Sequence, residues 1–492
     1  MSAQELSTGV AAGGADGARS HVQFRHERAR RIWLSVFSSL LTKPLAFAIP
    51  LLTIPLFFRY LGQERYGLYE SVTALSAWLG LMNLGLGLGL VNRLTECHVS
   101  GDRALARRYV SNVVLATGAL AAAGTVLVAV LALAVNWAHL FGVSDARMGR
   151  EVGWSVLVAG VATVVGLVAS VSGAVYVGYQ ETHRSNLWDG ATKVLTLAAM
   201  VGAVFTPFGL VGVTAAAVGA PCAVRLVNVL YQFGWERPWL RPTVRDYDRA
   251  VLRSLLGEGV CLFVIQSAAV AIFQSDKLVV GIVVSPSAVA PYAVLSRLFL
   301  IVWGVFGLVL APLWPAFGEA LRRGDLGWVR RTLRWSVMGG VGAMFACGVV
   351  MLVGGDTVIR LWTRGQGLHV SRQLVVAMSL ACALWVWMGC QSIVLNAAGV
   401  LRPQMLFIGV QAVLNLAAAV AGGKWLGVEG VAWAIVVSGL VSTAWGYPWM
   451  VHRYLRGAVR MAGENPAAAV AAEAGVTGTS AAGELAGSGA VP

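Results

Sequence analysis

"FFRYLGQERYGLYE", residues 57–70, separates two apolar runs that are each more than twenty residues long. It sets Arg59, Glu64, Arg65 and Glu70 among fourteen positions. Hydrocarbon does not hold such a cluster, so the stretch predicts a short turn in water between two membrane-crossing helices. Gly62 supplies the permissive backbone for the reversal. On this reading Glu70 lies near the outer surface at the mouth of the second helix, where water solvates it.

The rest of the chain repeats the theme. Its 492 residues are 57% hydrophobic and only 12% charged, and the mean hydropathy is +0.72. A soluble protein carries roughly 25% charged residues. Runs such as "LAAAGTVLVAVLALAV" (120–135) do not alternate polar with apolar, which excludes a spanning β-barrel. The expected fold class is an all-α polytopic membrane protein with about twelve helices. The spans are placed at 33–58, 66–92, 109–136, 151–178, 187–205, 208–230, 256–282, 290–316, 332–354, 373–399, 403–421 and 428–451.

Charge sets the orientation. Of the 37 Lys and Arg residues, 24 fall in loops on the side of the N-terminus and 9 on the other. The positive-inside rule therefore puts both termini in the cytoplasm, and it accounts for the net charge of +14 without nucleic acid. The six cysteines form no C-x-x-C, so neither a disulfide framework nor a zinc site is expected. No cofactor or metal is expected. "LGLGLGL" (84–90) lacks the Lys-Ser/Thr of a phosphate-binding loop and reads as a helix-packing or hinge segment.

The chain also repeats itself. A shift of 223 positions places Tyr69 on Tyr292, Leu75 on Leu298 and Glu96 on Glu319. "GDRALARR" (101–108) then falls on "GDLGWVRR" (324–331). Each half holds six spans and starts inside, so the repeat is parallel. The expected organisation is a basic segment 1–32, a first lobe 33–232, a linker 233–255, a second lobe 256–452 and a tail 453–492.

Three stretches carry a family resemblance: "PLFFRYLGQERYGLYE" (55–70), "LMNLGLGLGLVNRL" (81–94) and "SDKLVVGIVVSPSAVAPYAVLSRL" (275–298). The chain resembles the polysaccharide-transport, Wzx-type branch of the multidrug/oligosaccharidyl-lipid/polysaccharide (MOP) flippase superfamily. The resemblance implies two six-helix lobes around a central cavity. It also implies alternating access that carries an undecaprenyl-diphosphate-linked oligosaccharide from the inner to the outer leaflet of the cytoplasmic membrane. The implied partners are that lipid-linked oligosaccharide, membrane lipids, a coupling cation (H+ or Na+) and polysaccharide-assembly proteins.

Ionisable groups inside spans cost about 2.5–3.5 kcal/mol each on insertion scales, so they mark cavities or pairs. Lys43 falls near mid-bilayer in a span kinked by Pro44, Pro50 and Pro55, and reads as a cavity cation. The resemblance points to Arg297 as a second cavity cation, whose planar fork matches diphosphate oxygens. Asn83 and Arg225 join them as candidate substrate contacts. Asp276, Lys277 and Glu70 are candidates for coupling or gating. Adjacent helical residues point about 100° apart, so Asp276 and Lys277 are expected to divide between the cavity and the outer interface. Asp189 and Lys193, at i,i+4, are expected to pair within their helix.

Two other functions remain in view at this stage. A drug or small-solute antiporter would favour acidic cavity groups, whereas the deep charges here are mostly basic. A membrane glycosyltransferase is suggested only by Asp246 and Asp248 in "RDYDRA" (245–250), in a loop too short for a nucleotide-binding domain. No catalytic set is placed, and the chain is not expected to be an enzyme.

Overall fold

The computed structural model describes residues 34, 38, 42, 44, 45 and 48–464, apart from 311, 364–367 and 369. Lys43 and most of the predicted start of span one lie outside the described residues. Among the described residues all regular elements are helical, and nine helices are long and apolar enough to cross a membrane.

The opening stretch folds as a hairpin, with a tighter bend than expected. Residues 48–61 (α1) and 63–80 (α2) are helical on either side of Gly62, which sits at φ 75°. The ring of Phe57 meets that of Tyr69 at 5.4 Å, and Phe58 meets Tyr66 at 4.4 Å. Those contacts require the chain to double back at a single residue. Span two therefore begins at once, and Glu70 lies eight residues, about 12 Å, down its axis. The expectation of a solvated Glu70 is wrong for this reason: its relative exposure is 2%.

A 3-10 turn at Leu81–Asn83, then left-handed Leu84 (φ 50°) and Gly85 (φ 73°), interrupts the second span. It resumes as α3 (Leu86–Ser100). The first half continues as α4 (Arg103–Ala134), α5 (Ala146–Gly178), α6 (Thr182–Ala203) and α7 (Gly209–Glu236). Then come α8 (Arg249–Val279, extended by a π-turn, Val280–Val284), α9 (Pro286–Leu310) and α10 (Leu313–Arg322). The second half continues with α11 (Leu326–Trp362), α12 (Arg372–Ala397), α13 (Arg402–Leu426), α14 (Val428–Val441) and α15 (Thr443–Glu464).

The 223-residue repeat is visible in local geometry. Gly101 and Gly324 turn at φ 73° and 77°. Asp102 and Asp325 then cap α4 and α11, each accepting a backbone N–H at 2.9 Å, from Leu105 and Trp328. The turn at Gly62 is matched by the extended Ser285 that separates the π-turn from α9.

Helix α8 joins the two halves. At its start Leu255 packs with Leu90, Leu94 and Val110 of the first half. Further on, Ile272 packs with Phe317 and Leu395 of the second. The linker before α8 is pinned to α4 through its acids. Arg107 donates to Asp246 at 2.9 Å, and Thr243 donates to the same carboxylate at 2.6 Å. Asn112 bridges the Asp246 carbonyl and the Asp248 amide, both at 2.9 Å. The Thr243 hydroxyl, with Arg107, holds Asp246 below the usual carboxylate range. Asp246 and Asp248 thus fix the linker and cap α8.

Candidate functional site

At the end of the bundle marked by Gly62 and Ser285 the two halves touch backbone to backbone. A Cβ on Gly67 would lie 1.8 Å from the carbonyl oxygen of Pro286. Only hydrogen allows α2 to rest on the start of α9. Gln63 Nε2 donates to the Ser287 carbonyl at 3.0 Å across the same seam.

Beneath the seam lies a buried charge cluster. Glu70 of α2 accepts from Lys277 Nζ of α8 at 2.7 Å and from its own-helix neighbour Tyr66 at 2.9 Å. Arg297 Nη2 of α9 stands 3.6 Å away, close enough for an ion pair but too far for a hydrogen bond. One carboxylate thus serves two cations, across 207 positions of sequence in the case of Lys277. The cluster is graded in exposure: the side chains of Glu70, Lys277 and Arg297 are 2%, 10% and 36% exposed.

The exposed side of Arg297 faces a cavity of about 390 Å³, which Lys277, Gln274, Thr73 and Ser296 also line. Phe273, Tyr292 and Cys382 form part of its wall. The cavity offers two cations, three neutral polar groups and aromatic faces. That chemistry suits an anionic group joined to hydroxyl-rich matter.

Asp276 turns the other way. It accepts from Tyr292 at 2.9 Å and from Asn415 Nδ2 at 3.0 Å, and Ser438 in turn donates to Asn415 at 3.3 Å. All its partners lie in the second half, and it is 0% exposed. Asp276 and Lys277 do diverge, as adjacent helical residues must. Neither reaches the outer interface, because the π-turn carries the helix seven residues beyond Lys277, to Val284.

The other candidates lie apart. Asn83 ends the 3-10 turn in α2's continuation, and its buried Oδ1 has no hydrogen-bond partner. Arg225 lines a separate cavity of about 290 Å³ with Asp189 and Asn228, between α5, α6 and α7. The structure does not bring it to Arg297. Lys193 departs from its expected helical pairing with Asp189 and donates to the Thr42 carbonyl at 3.2 Å. Sequence reasoning also missed a network at the opposite end of the bundle. There Arg237 bonds Glu181 at 2.7 Å and stacks over Tyr179 at 4.4 Å, while Glu236 accepts from Tyr176 at 2.8 Å. Its only sequence signal is paired acids and arginines at the ends of successive spans.

A family model described as "Polysaccharide biosynthesis protein" matches residues 32–321, more than half of the chain. The chain belongs to that family. Within it, this family member is 20% identical over 429 residues to a putative O-antigen transporter of Salmonella typhi, covering 87% of this chain and 97% of that one. Its fold is shared with the inward-facing conformation of a multidrug resistance MATE family transporter of the MOP superfamily. There the TM-score is 0.72 at 15% identity, over 86% of this chain and 99% of that chain. It is shared also with the lipid II flippase MurJ in an inward closed conformation. That TM-score is 0.65 at 12% identity, over 85% and 87% of the two chains. The protein is thus a multi-pass membrane member of the polysaccharide biosynthesis family, and its fold is the one seen in these two transporters.

Proposed function

We propose that the protein is a flippase for oligosaccharide carried on undecaprenyl diphosphate, which it moves from the cytoplasmic to the outer leaflet of the cytoplasmic membrane. The observation that carries this reading is the shared carboxylate. Lys277 and Arg297 line the cavity, and both lean on Glu70 of the other half.

Two six-helix lobes, 33–232 and 256–452, alternate access about the linker 233–255, with both termini in the cytoplasm. The seam at Gly67 and Pro286 is the closed outer gate of an inward-facing state. A diphosphate entering the cavity competes with Glu70 for the two cations. As it takes them over, the bond joining the lobes weakens and the gate opens outward. The diphosphate replaces one counter-ion by another, so the cations are never left bare in low dielectric. Moving two negative charges out of a negative cytoplasm at 100 mV contributes roughly 4.6 kcal/mol.

Asp276 is proposed as the coupling carboxylate, because its partners are all neutral and a proton or Na+ completes its charge balance. Asn83 and Arg225 are proposed secondary contacts for the glycan on its way in, and Lys43 is a further proposed cation.

The test is transport by purified protein in liposomes loaded with fluorescent lipid-linked oligosaccharide. Arg297→Ala and Lys277→Ala are expected to slow flipping at least tenfold while membrane insertion is unchanged. Wild-type rates in both variants would refute the reading.

A further inference from the structure

At the basic end of the second half, a groove of about 690 Å³ opens between α11, α12 and α15. Arg330, Arg334, His452 and Arg456 line it, together with Trp387 and Gln391, and no acidic residue does. Among the described residues none of the three arginines has an ion-pair or hydrogen-bond partner, and all three are exposed. Gln391 is only 6% exposed, and its amide, lining the groove, has no hydrogen-bond partner among the described residues. The groove therefore presents an amide on its wall and a ring of unneutralised positive charge.

The internal repeat shows what the same groove takes when it is full. The 223-residue shift carries Arg330, Leu333 and Arg334 onto Arg107, Val110 and Ser111. In the first half the linker occupies that place. Asp246 sits on Arg107 at 2.9 Å, the Thr243 amide donates to Ser111 at 3.1 Å, and Leu240 packs with Val110, both 0% exposed. The filled copy holds one anion at the arginine and one apolar body against the helix. The second copy keeps the arginine and adds two more, with apolar wall behind them.

We infer that the open groove binds an anionic phospholipid of the adjacent leaflet. Its phosphodiester is held by Arg330, Arg334 and Arg456, its head group or ester meets the Gln391 amide, and an acyl chain lies along the wall beside Trp387. Basic pockets between spans at a membrane surface bind anionic head groups in this way. The inference does not depend on the proposed transport activity, since the groove lies apart from the cavity at Arg297.

The experiment is native mass spectrometry of the full chain released from micelles containing phosphatidylglycerol, phosphatidylcholine or both. One tightly held phosphatidylglycerol is expected, preferred at least tenfold over phosphatidylcholine. Arg330→Gln, Arg334→Gln and Arg456→Gln together should weaken it about 100-fold, at roughly fivefold per lost charge. The matching triple lysine variant should stay within about threefold of wild type, which separates lost charge from lost fold. Gln391→Leu should weaken binding about tenfold. Undiminished phosphatidylglycerol binding by the triple glutamine variant would overturn the inference. So would full displacement by an equal concentration of glycerol 3-phosphate, which has no acyl chain. Displacement by a synthetic peptide of residues 465–492 would assign the groove to the protein's own tail instead.

Discussion

Two carboxylates lie buried near the seam at Gly67 and Pro286, and they are solvated by opposite means. Glu70 has two cations and a tyrosine, and its strongest bond crosses between the halves. Asp276, next to Lys277 in sequence, has only a tyrosine and an asparagine, both from its own half. A buried carboxylate is tolerable when paired or hydrogen-bonded, but the two solutions have different consequences. The first fixes a charge in place and ties the halves together. The second leaves a carboxyl group with no cation partner among the described residues. On the proposed function, Glu70 is the gate's latch and Asp276 is the group that the coupling ion visits.

The largest effect is expected from breaking the first arrangement. Glu70→Gln strands Lys277 in a dry site, which costs about 3–5 kcal/mol when one partner of a buried pair is removed. The melting temperature in detergent should fall accordingly. Replacing both partners, as in Glu70→Gln with Lys277→Met, should recover most of that loss. If the single variant melts with the wild type, the pair holds nothing together.

Next in size is the seam that keeps Glu70 within reach. Gly67→Ala puts a carbon 1.8 Å from a carbonyl oxygen, so the backbones must part. Overpacking of this kind costs typically 1–3 kcal/mol. The contrast lies in where the damage goes. A cysteine placed at Ser287 should become reactive to an impermeant thiol reagent, while the Asp276 network, contained in the second half, stays intact. Equal reactivity with and without Gly67→Ala would show that the seam is not the closed gate.

A smaller stability change is expected at Asp276, with a larger change in coupling. Asp276→Asn keeps the shape and an acceptor for Tyr292, and Asn415 can turn its amide, so the cost is about 1 kcal/mol. In liposomes, flipping by this variant should no longer respond to an imposed proton or sodium gradient. A wild-type response would remove Asp276 from the coupling step.

The helices were legible because long apolar runs leave few alternatives, and the repeat was legible because Gly101-Asp102 and Gly324-Asp325 use the same turn and cap. The site was legible only in part. Arg297 and Lys277 were marked by charge within a span, which is a local signal. Their common partner was not, since Glu70 reads as a surface residue until the tightness of the Gly62 bend is known. A shift of a few residues in where a span starts moves a side chain by a full turn of helix. Lys193 fails for a related reason: i,i+4 spacing shows which groups are able to pair, but Thr42 of another helix lies closer. Nothing in a single sequence links positions 70 and 277, or seats Arg225 in a different cavity from Arg297.

The finest test makes the same change on both carboxylates. Tyr66→Phe and Tyr292→Phe each delete one hydroxyl that donates at 2.9 Å to a buried carboxylate. After the first change Glu70 keeps Lys277 and Arg297, so its charge remains compensated and the loss should be near 0.5 kcal/mol, the low end for a hydrogen bond. After the second, Asp276 keeps only Asn415, so a buried carboxyl oxygen loses its partner and the loss should approach the roughly 1–3 kcal/mol of an unsatisfied buried group. The two substitutions are chemically identical, and any difference in melting comes from what remains around each carboxylate. If Tyr66→Phe proves as costly as Tyr292→Phe, the cations do not shield Glu70, and the distinction between a latched charge and an open one collapses.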